Sequence, residues 1–176
     1  MRINLKYSNK TTRRGALGLL LMALMVGFNL MGPGVFAQQE APMLPSSGRS
    51  VVSLDGSWQI VFDRHNQGRE QEWVQPGGFP MEQIRQIDVP ACWERVEKDY
   101  EGVAFYRRTF DVPENWKGKC VRLQFDAVNY RAEVWVNHTA VGFHDGGYTP
   151  FEFEVDDVLN YEEENTLILR VVGPIL

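Results

Sequence analysis

From Val51 onward, apolar and polar residues alternate in short runs separated by turn residues. Trp58, Ile60 and Phe62 share one face of a run over residues 57–62. A second run over 84–89 stops at Pro90, and a third over 104–112 stops at Pro113. Val121, Leu123 and Phe125 alternate with Arg122, Gln124 and Asp126; Ala132, Val134 and Val136 alternate with Glu133, Trp135 and Asn137. Phe151, Phe153 and Val155, then Leu167, Leu169 and Val171, complete the series. A period of two with one wet face predicts antiparallel sheet. Strands recurring every 8–12 residues, with no long helical pattern, predict an all-β sandwich or barrel. Periodicity alone does not separate a jelly roll from an immunoglobulin-like sandwich.

The spaces between runs are also informative. Residues 68–81 are polar and contain Pro76, Gly77, Gly78 and Pro80, which predicts a long loop with at most one helical turn. Asn137 and His138 fit a tight turn between two strands, and Gly146-Gly147 fits a turn or a close backbone approach. Asn137-His138-Thr139 is a glycosylation sequon, but turn geometry is the simpler reason for its asparagine.

The N-terminus breaks the pattern. Arg2, Lys6, Lys10, Arg13 and Arg14 precede an apolar run over 16–31, and Val35-Phe36-Ala37 follows. Basic, apolar and small-residue regions in that order predict a signal peptide over residues 1–37, cut after Ala37. The rival reading is a retained anchor, for which the run is short against a span of ~20 residues. Thr12-Arg13-Arg14 would suit a twin-arginine route, with Sec export the simpler expectation. Residues 38–50, with Pro42, Pro45 and Gly48, read as a flexible lead-in, leaving 51–176 as the domain. The expectation is therefore an exported, periplasmic or extracellular protein with no stable membrane insertion after cleavage.

Cleavage sharpens the charge balance. The chain has 18 basic and 23 acidic side chains; the leader carries five basic and no acidic ones, leaving 13 against 23. An acidic domain without a basic cluster predicts no nucleic-acid partner. Cys92 and Cys120 belong to no CxxC pair, and the three histidines show no metal spacing. No metal or cofactor is expected, and two free thiols are favoured over the disulfide that export would permit.

Five segments occur in an order that closely resembles the N-terminal sugar-binding domain of family 2 glycoside hydrolases, the β-glucuronidase and β-galactosidase family. They are Leu54-Asp55-Gly56-Ser57-Trp58, Val89-Pro90-Ala91-Cys92-Trp93, the run from Tyr100-Glu101-Gly102 to Tyr106-Arg107-Arg108, the run from Asp126 to Asn137, and Gly146-Gly147-Tyr148-Thr149-Pro150-Phe151. The resemblance covers residues 54–172, and its last segment leans toward the β-glucuronidase branch. It implies a jelly-roll, galactose-binding-like antiparallel β-sandwich. It also implies that the two catalytic glutamates of a retaining β-glycosidase reside on a later (β/α)₈ barrel.

No catalytic residue is therefore expected in this chain. The resemblance carries Asp99 and Tyr100 over as substrate-binding residues, on a loop that faces the barrel mouth in some relatives. Trp135, out of phase with Val134 and Val136, is the candidate for a domain interface. Arg107 and Arg108 point to opposite faces, and one of them is expected to pair with a buried acid such as Asp126. The leading reading is the scaffold domain of a secreted β-glycosidase that meets carbohydrate through a barrel outside this chain, with oligomerisation open for the full-length enzyme. The apolar ending Gly173-Pro174-Ile175-Leu176 favours a cut chain. The alternatives are a stand-alone carbohydrate-binding module and a structural or partner-binding sandwich.

Overall fold

The computed structural model describes residues 1–8 and 50–174. The apolar leader run, the cleavage site after Ala37 and the lead-in up to Arg49 lie outside the described residues. The described residues form ten strands: β1 (Ile3–Ser8), β2 (Ser50–Ser53), β3 (Gly56–Asp63), β4 (Arg85–Val89), β5 (Val103–Phe110), β6 (Cys120–Phe125), β7 (Arg131–Val136), β8 (Thr139–Asp145), β9 (Phe151–Glu154) and β10 (Asn165–Val172). They form a four-stranded sheet, β2-β1-β6-β9, and a six-stranded sheet, β4-β3-β5-β10-β7-β8. Every pairing is antiparallel. Among the described residues there is no α-helix, only three short 3-10 turns.

The alternation seen in the sequence fills the space between the sheets. Val121, Leu123 and Phe125 of β6 meet Trp58, Ile60, Ala132, Val134, Leu167 and Leu169 of the larger sheet, all at most 2% exposed. Interdigitated inner faces of this kind supply most of the stabilising burial in a sandwich.

Two expectations need correction. The central strands of the larger sheet do not have one wet face. Val61, Phe105 and Ile168 point outward, yet are at most 2% exposed, because Trp73 and Phe79 close over them. The loop predicted over residues 68–81 is thus a lid on a second apolar cluster. Its Gly68 is needed there, since a Cβ would lie 2.6 Å from the Phe105 ring. The second correction concerns arginine. Arg108 donates to the carbonyls of Leu54 and Asp55 at 2.9 Å, Arg107 donates to Gln59 Oε1 at 2.7 Å, and Asp126 is exposed. Carbonyls left by the turn before β3 are closer partners than any carboxylate.

The N-terminus holds a finding that the leader pattern concealed. Ile3–Ser8 lies between β2 and β6, with Ile3 and Leu5 fully buried. Ile3, Leu5 and Tyr7 alternate with Asn4, Lys6 and Ser8, which is the strand signal in plain form.

Candidate functional site

Loops from one end of the sandwich converge on a cleft of about 650 Å³. They are residues 90–95 after β4, 100–101 before β5, 127–129 after β6, Gly147 after β8 and 173–174 after β10. Its aromatic lining is Trp93, Tyr100 and Tyr106, none more than 9% exposed.

The polar atoms of Trp93 and Tyr100 are turned to internal use. Trp93 Nε1 donates to the Tyr100 carbonyl at 3.1 Å. The Tyr100 hydroxyl donates to the Val103 carbonyl at 2.7 Å and accepts from the Val103 amide at 3.2 Å. Its ring packs edge-on against Phe62 and Trp93, with centroids 4.7 and 5.6 Å away. Burial pushes the Tyr100 and Tyr106 phenols above their ordinary range, so both stay neutral hydroxyls at any physiological pH. Gly173 donates to the Gly102 carbonyl at 2.8 Å and ties the end of β10 to this loop. Tyr100 is therefore a structural clamp whose ring edge reaches the cleft.

Asp99 is differently placed. It adopts a φ of +55°, its side chain is 86% exposed, and its nearest cationic partner is Lys98, 3.9 Å away. It lines a second, smaller cleft of about 370 Å³ with Arg64, Glu97, Lys98, Tyr100 and Glu101. Glu97 bridges Arg64, at 2.5 Å, and Arg85; the hydrogen bond from Arg64 and then that from Arg85 hold its carboxyl below the usual range. The structure thus brings Asp99 and Tyr100 to the rims of two adjoining clefts, one solvated and one packed. The carboxylates of the larger cleft, Glu94 and Glu101, are exposed. A general acid for glycoside cleavage works in a dry cleft, and both of these carboxylates face solvent.

The loop beside the larger cleft explains its glycines. A Cβ on Gly147 would lie 2.6 Å from Asn129 Oδ1, so a larger residue there would have to displace that side chain. Gly146 has a φ of +126°. Tyr148, which follows Gly147, is 92% exposed, and Tyr130 is 49% exposed. Phe143 on β8 is 59% exposed beneath the Arg131 guanidinium, 4.3 Å from its ring centroid. The β7–β8 turn forms as its sequence suggests: Asn137 and His138 have φ of +48° and +69°, the geometry of a two-residue hairpin turn. Asn137 also donates to the Val158 carbonyl and accepts from the Thr166 amide, pinning the turn to β10 and to the segment before it.

Trp135 lies on the outer face of the larger sheet, as its alternation required. It is half-buried there against the second apolar cluster, rather than freely presented. The same face holds a charge network that sequence reading missed. Glu133 receives Arg131 at 3.0 Å, Arg170 at 3.1 Å and Arg69 at 2.5 Å. Burial raises its carboxyl, but the hydrogen bonds from Arg131 and Arg69 and the Arg170 charge outweigh that and hold it low. Glu133 and Arg170 are partners in adjacent strands, a relation that no spacing in the sequence reveals.

Among the described residues, one group could hold a cation: Cys120, Glu154 and Asp156, whose ligand atoms lie within 4.8 Å of one another. The thiol instead hydrogen-bonds to Glu154 Oε1 at 3.0 Å, and that bond, with burial, raises its pKa and disfavours the thiolate that a metal needs. Both cysteines are free.

Comparison with known proteins matches this geometry to one family. Residues 51–173 match the sequence profile described as "Glycosyl hydrolases family 2, sugar binding domain". A β-glucuronidase of Paenibacillus borealis is 31% identical over 128 residues, which is 70% of this chain and 21% of that protein. A β-galactosidase of Thermoanaerobacter pseudethanolicus is 46% identical over 76 residues, 43% of this chain and 10% of that protein. The solved structure of Lactobacillus rhamnosus β-glucuronidase superposes with a TM-score of 0.61 at 32% identity, covering 70% of this chain and 21% of that one. The chain thus spans about a fifth or less of the length of these relatives. It belongs to glycoside hydrolase family 2, of which it supplies the N-terminal sugar-binding β-sandwich domain.

Proposed function

We propose that this chain is the N-terminal, non-catalytic part of a secreted retaining β-glycosidase that acts on β-glucuronides or β-galactosides. Its catalytic barrel would lie in polypeptide outside this chain. The observation that carries this reading is the state of the larger cleft. The Trp93 indole and the Tyr100 hydroxyl are bonded internally, and its carboxylates are solvated. Such a surface can form a wall and a docking seat, but it cannot deliver an acid and a nucleophile 5–5.5 Å apart. The names of its relatives and the share of their length that it spans support the same division of labour.

In this arrangement the glycine loop and the cleft face the rest of the enzyme. Tyr130, Phe143 and Tyr148 give that face exposed aromatic surface, with Trp135 adding a half-buried edge on the sheet. Asp99 is an exposed polar residue on the loop, placed to reach a substrate bound by the barrel. Export through the N-terminal leader would place the enzyme in the periplasm or outside the cell.

The test is to express the gene from residue 1 through any in-frame downstream sequence and compare it with residues 1–176. Hydrolysis of an aryl β-glucuronide or β-galactoside by the long product alone is the expected result. Micromolar binding of free glucuronic acid or galactose by the short product would favour a stand-alone binding module instead.

A further inference from the structure

Of the three aromatic residues that line the larger cleft, Tyr106 alone keeps its polar atom unused. Among the described residues its hydroxyl has no hydrogen-bond partner, although the residue is only 5% exposed. A buried hydroxyl left this way costs about 1–3 kcal/mol unless something entering the cleft completes it. Burial first, then the charges of Glu94 and Cys92, raise its pKa, so the hydroxyl lies toward the loop bearing those two residues and stays a donor.

Cys92 presents an exposed thiol on that loop. Cys120 is its opposite: it is buried, and the hydrogen bond to Glu154 and then burial raise its pKa. The thiolate is the attacking species in disulfide exchange, so Cys120 is held inert while Cys92 is open to react. Beside Cys92 the cleft offers charge of both signs. Arg95, Glu94 and Glu101 are exposed, and none of them is in an ion pair among the described residues. Pro90, Ala91 and Val128 add apolar surface, and about 650 Å³ is the size of a small-ligand site.

We propose that Cys92 is a thiol-exchange site, and that this cleft seats an amino-acid thiol, cysteine or a short cysteine peptide, as a mixed disulfide. The carboxylate of the ligand is taken by Arg95 and the Tyr106 hydroxyl, and its ammonium by Glu94 or Glu101. The Cys92 thiolate attacks one sulfur of a low-molecular-weight disulfide. A bond forms between the two sulfurs, the original S–S bond breaks, and the second half leaves as a thiolate that takes up the proton Cys92 lost. Cys92 is oxidised and the departing half is reduced, so no further oxidant is needed. On the function proposed above, the same cleft is the docking seat for the rest of the enzyme, and the adduct and the docked polypeptide are then alternatives.

The test is incubation of residues 1–176 with cystine, with glutathione disulfide and with uncharged hydroxyethyl disulfide, followed by intact mass and peptide mapping. Each rate is divided by that of a free model thiol with the same reagent. One adduct per chain is expected, on Cys92 and not on Cys120. At least one of the two amino-acid disulfides should react about 10-fold faster than the uncharged one, and the faster of them identifies the source of the thiol. Arg95→Gln combined with Tyr106→Phe should remove that preference while leaving the rate of the uncharged reagent unchanged. Should the pair fail to fold, Arg95→Gln alone, at an exposed position, is expected to lower the preference about 3-fold. Modification of Cys120 as fast as of Cys92, equal rates with charged and uncharged disulfides, or a preference that survives the substitutions overturns the proposal. Glycosidase activity of a longer product is measured separately, so the site and the proposed function can fail independently.

Discussion

Glu133 and Arg170 face each other across β7 and β10, carboxylate to guanidinium at 3.1 Å, with 5% and 7% of their surfaces exposed. Around them Arg69 and Arg131 complete a network that fastens the lid over the second apolar cluster. Removing one member of a buried pair leaves the other charged and uncompensated. Glu133→Gln is therefore expected to cost about 3 kcal/mol of stability. Urea unfolding at neutral pH measures it, and a loss below about 1 kcal/mol would show that the network is incidental.

The same residue sets a pH dependence. Its folded-state pKa is depressed, so its contribution is present above the ordinary carboxylate value and is lost as pH falls through the lower folded value. Wild-type stability should decline on acidification below about pH 4.5, the ordinary value for a glutamate. The decline should be shallower in Glu133→Gln. Glu97, also held low, acts in the same direction in both proteins, so the difference between them isolates Glu133.

Tyr100→Phe removes a hydroxyl that both donates to and accepts from Val103. The expected loss is about 1–2 kcal/mol, because the Val103 amide and carbonyl are left without that partner. Asp99→Gly, at an exposed left-handed position, should change stability by less than about 0.5 kcal/mol. Thermal unfolding of the two variants separates the structural residue of the loop from the solvent-facing one.

Gly147→Ala should destabilise by about 1–3 kcal/mol, since its methyl group would meet the Asn129 side chain. Asn129→Ala removes the nearest of the clashing atoms. The double variant should then lose measurably less than the two single losses added together. Strict additivity would show that the two residues do not press on each other.

The sequence made the sandwich legible because alternation at Val121, Leu123 and Phe125, and again at Leu167, Leu169 and Val171, translates directly into buried faces. Five motif segments then placed the chain in its family. What stayed hidden depended on pairings between distant strands. Phe105 and Ile168 looked like wet-face positions until the lid carrying Trp73 and Phe79 covered them. The alternation placed Glu133 opposite Ala132 and Val134 but could not show its partners, because Arg170 and Arg69 reach it only through the fold. Ile3, Leu5 and Tyr7 carried a clear strand signal, but the basic and apolar leader pattern around them claimed the same residues. At the candidate site, Asp99 and Tyr100 were found as a loop. Their contrast, one solvated and one clamped, follows from Tyr100 folding back onto Val103, a contact that their adjacency in sequence does not foretell.

On the function proposed above, this domain forms part of a family 2 glycosidase without performing its chemistry. The most direct measurement is the steady-state rate of the purified chain, residues 1–176, on 4-nitrophenyl β-D-glucuronide and β-D-galactoside. The expected result is no release of nitrophenol above the buffer rate at any pH between 4 and 9. Turnover that disappears when a single carboxylate such as Glu94 or Glu101 is changed to its amide would contradict the account and place a catalytic centre in the cleft itself.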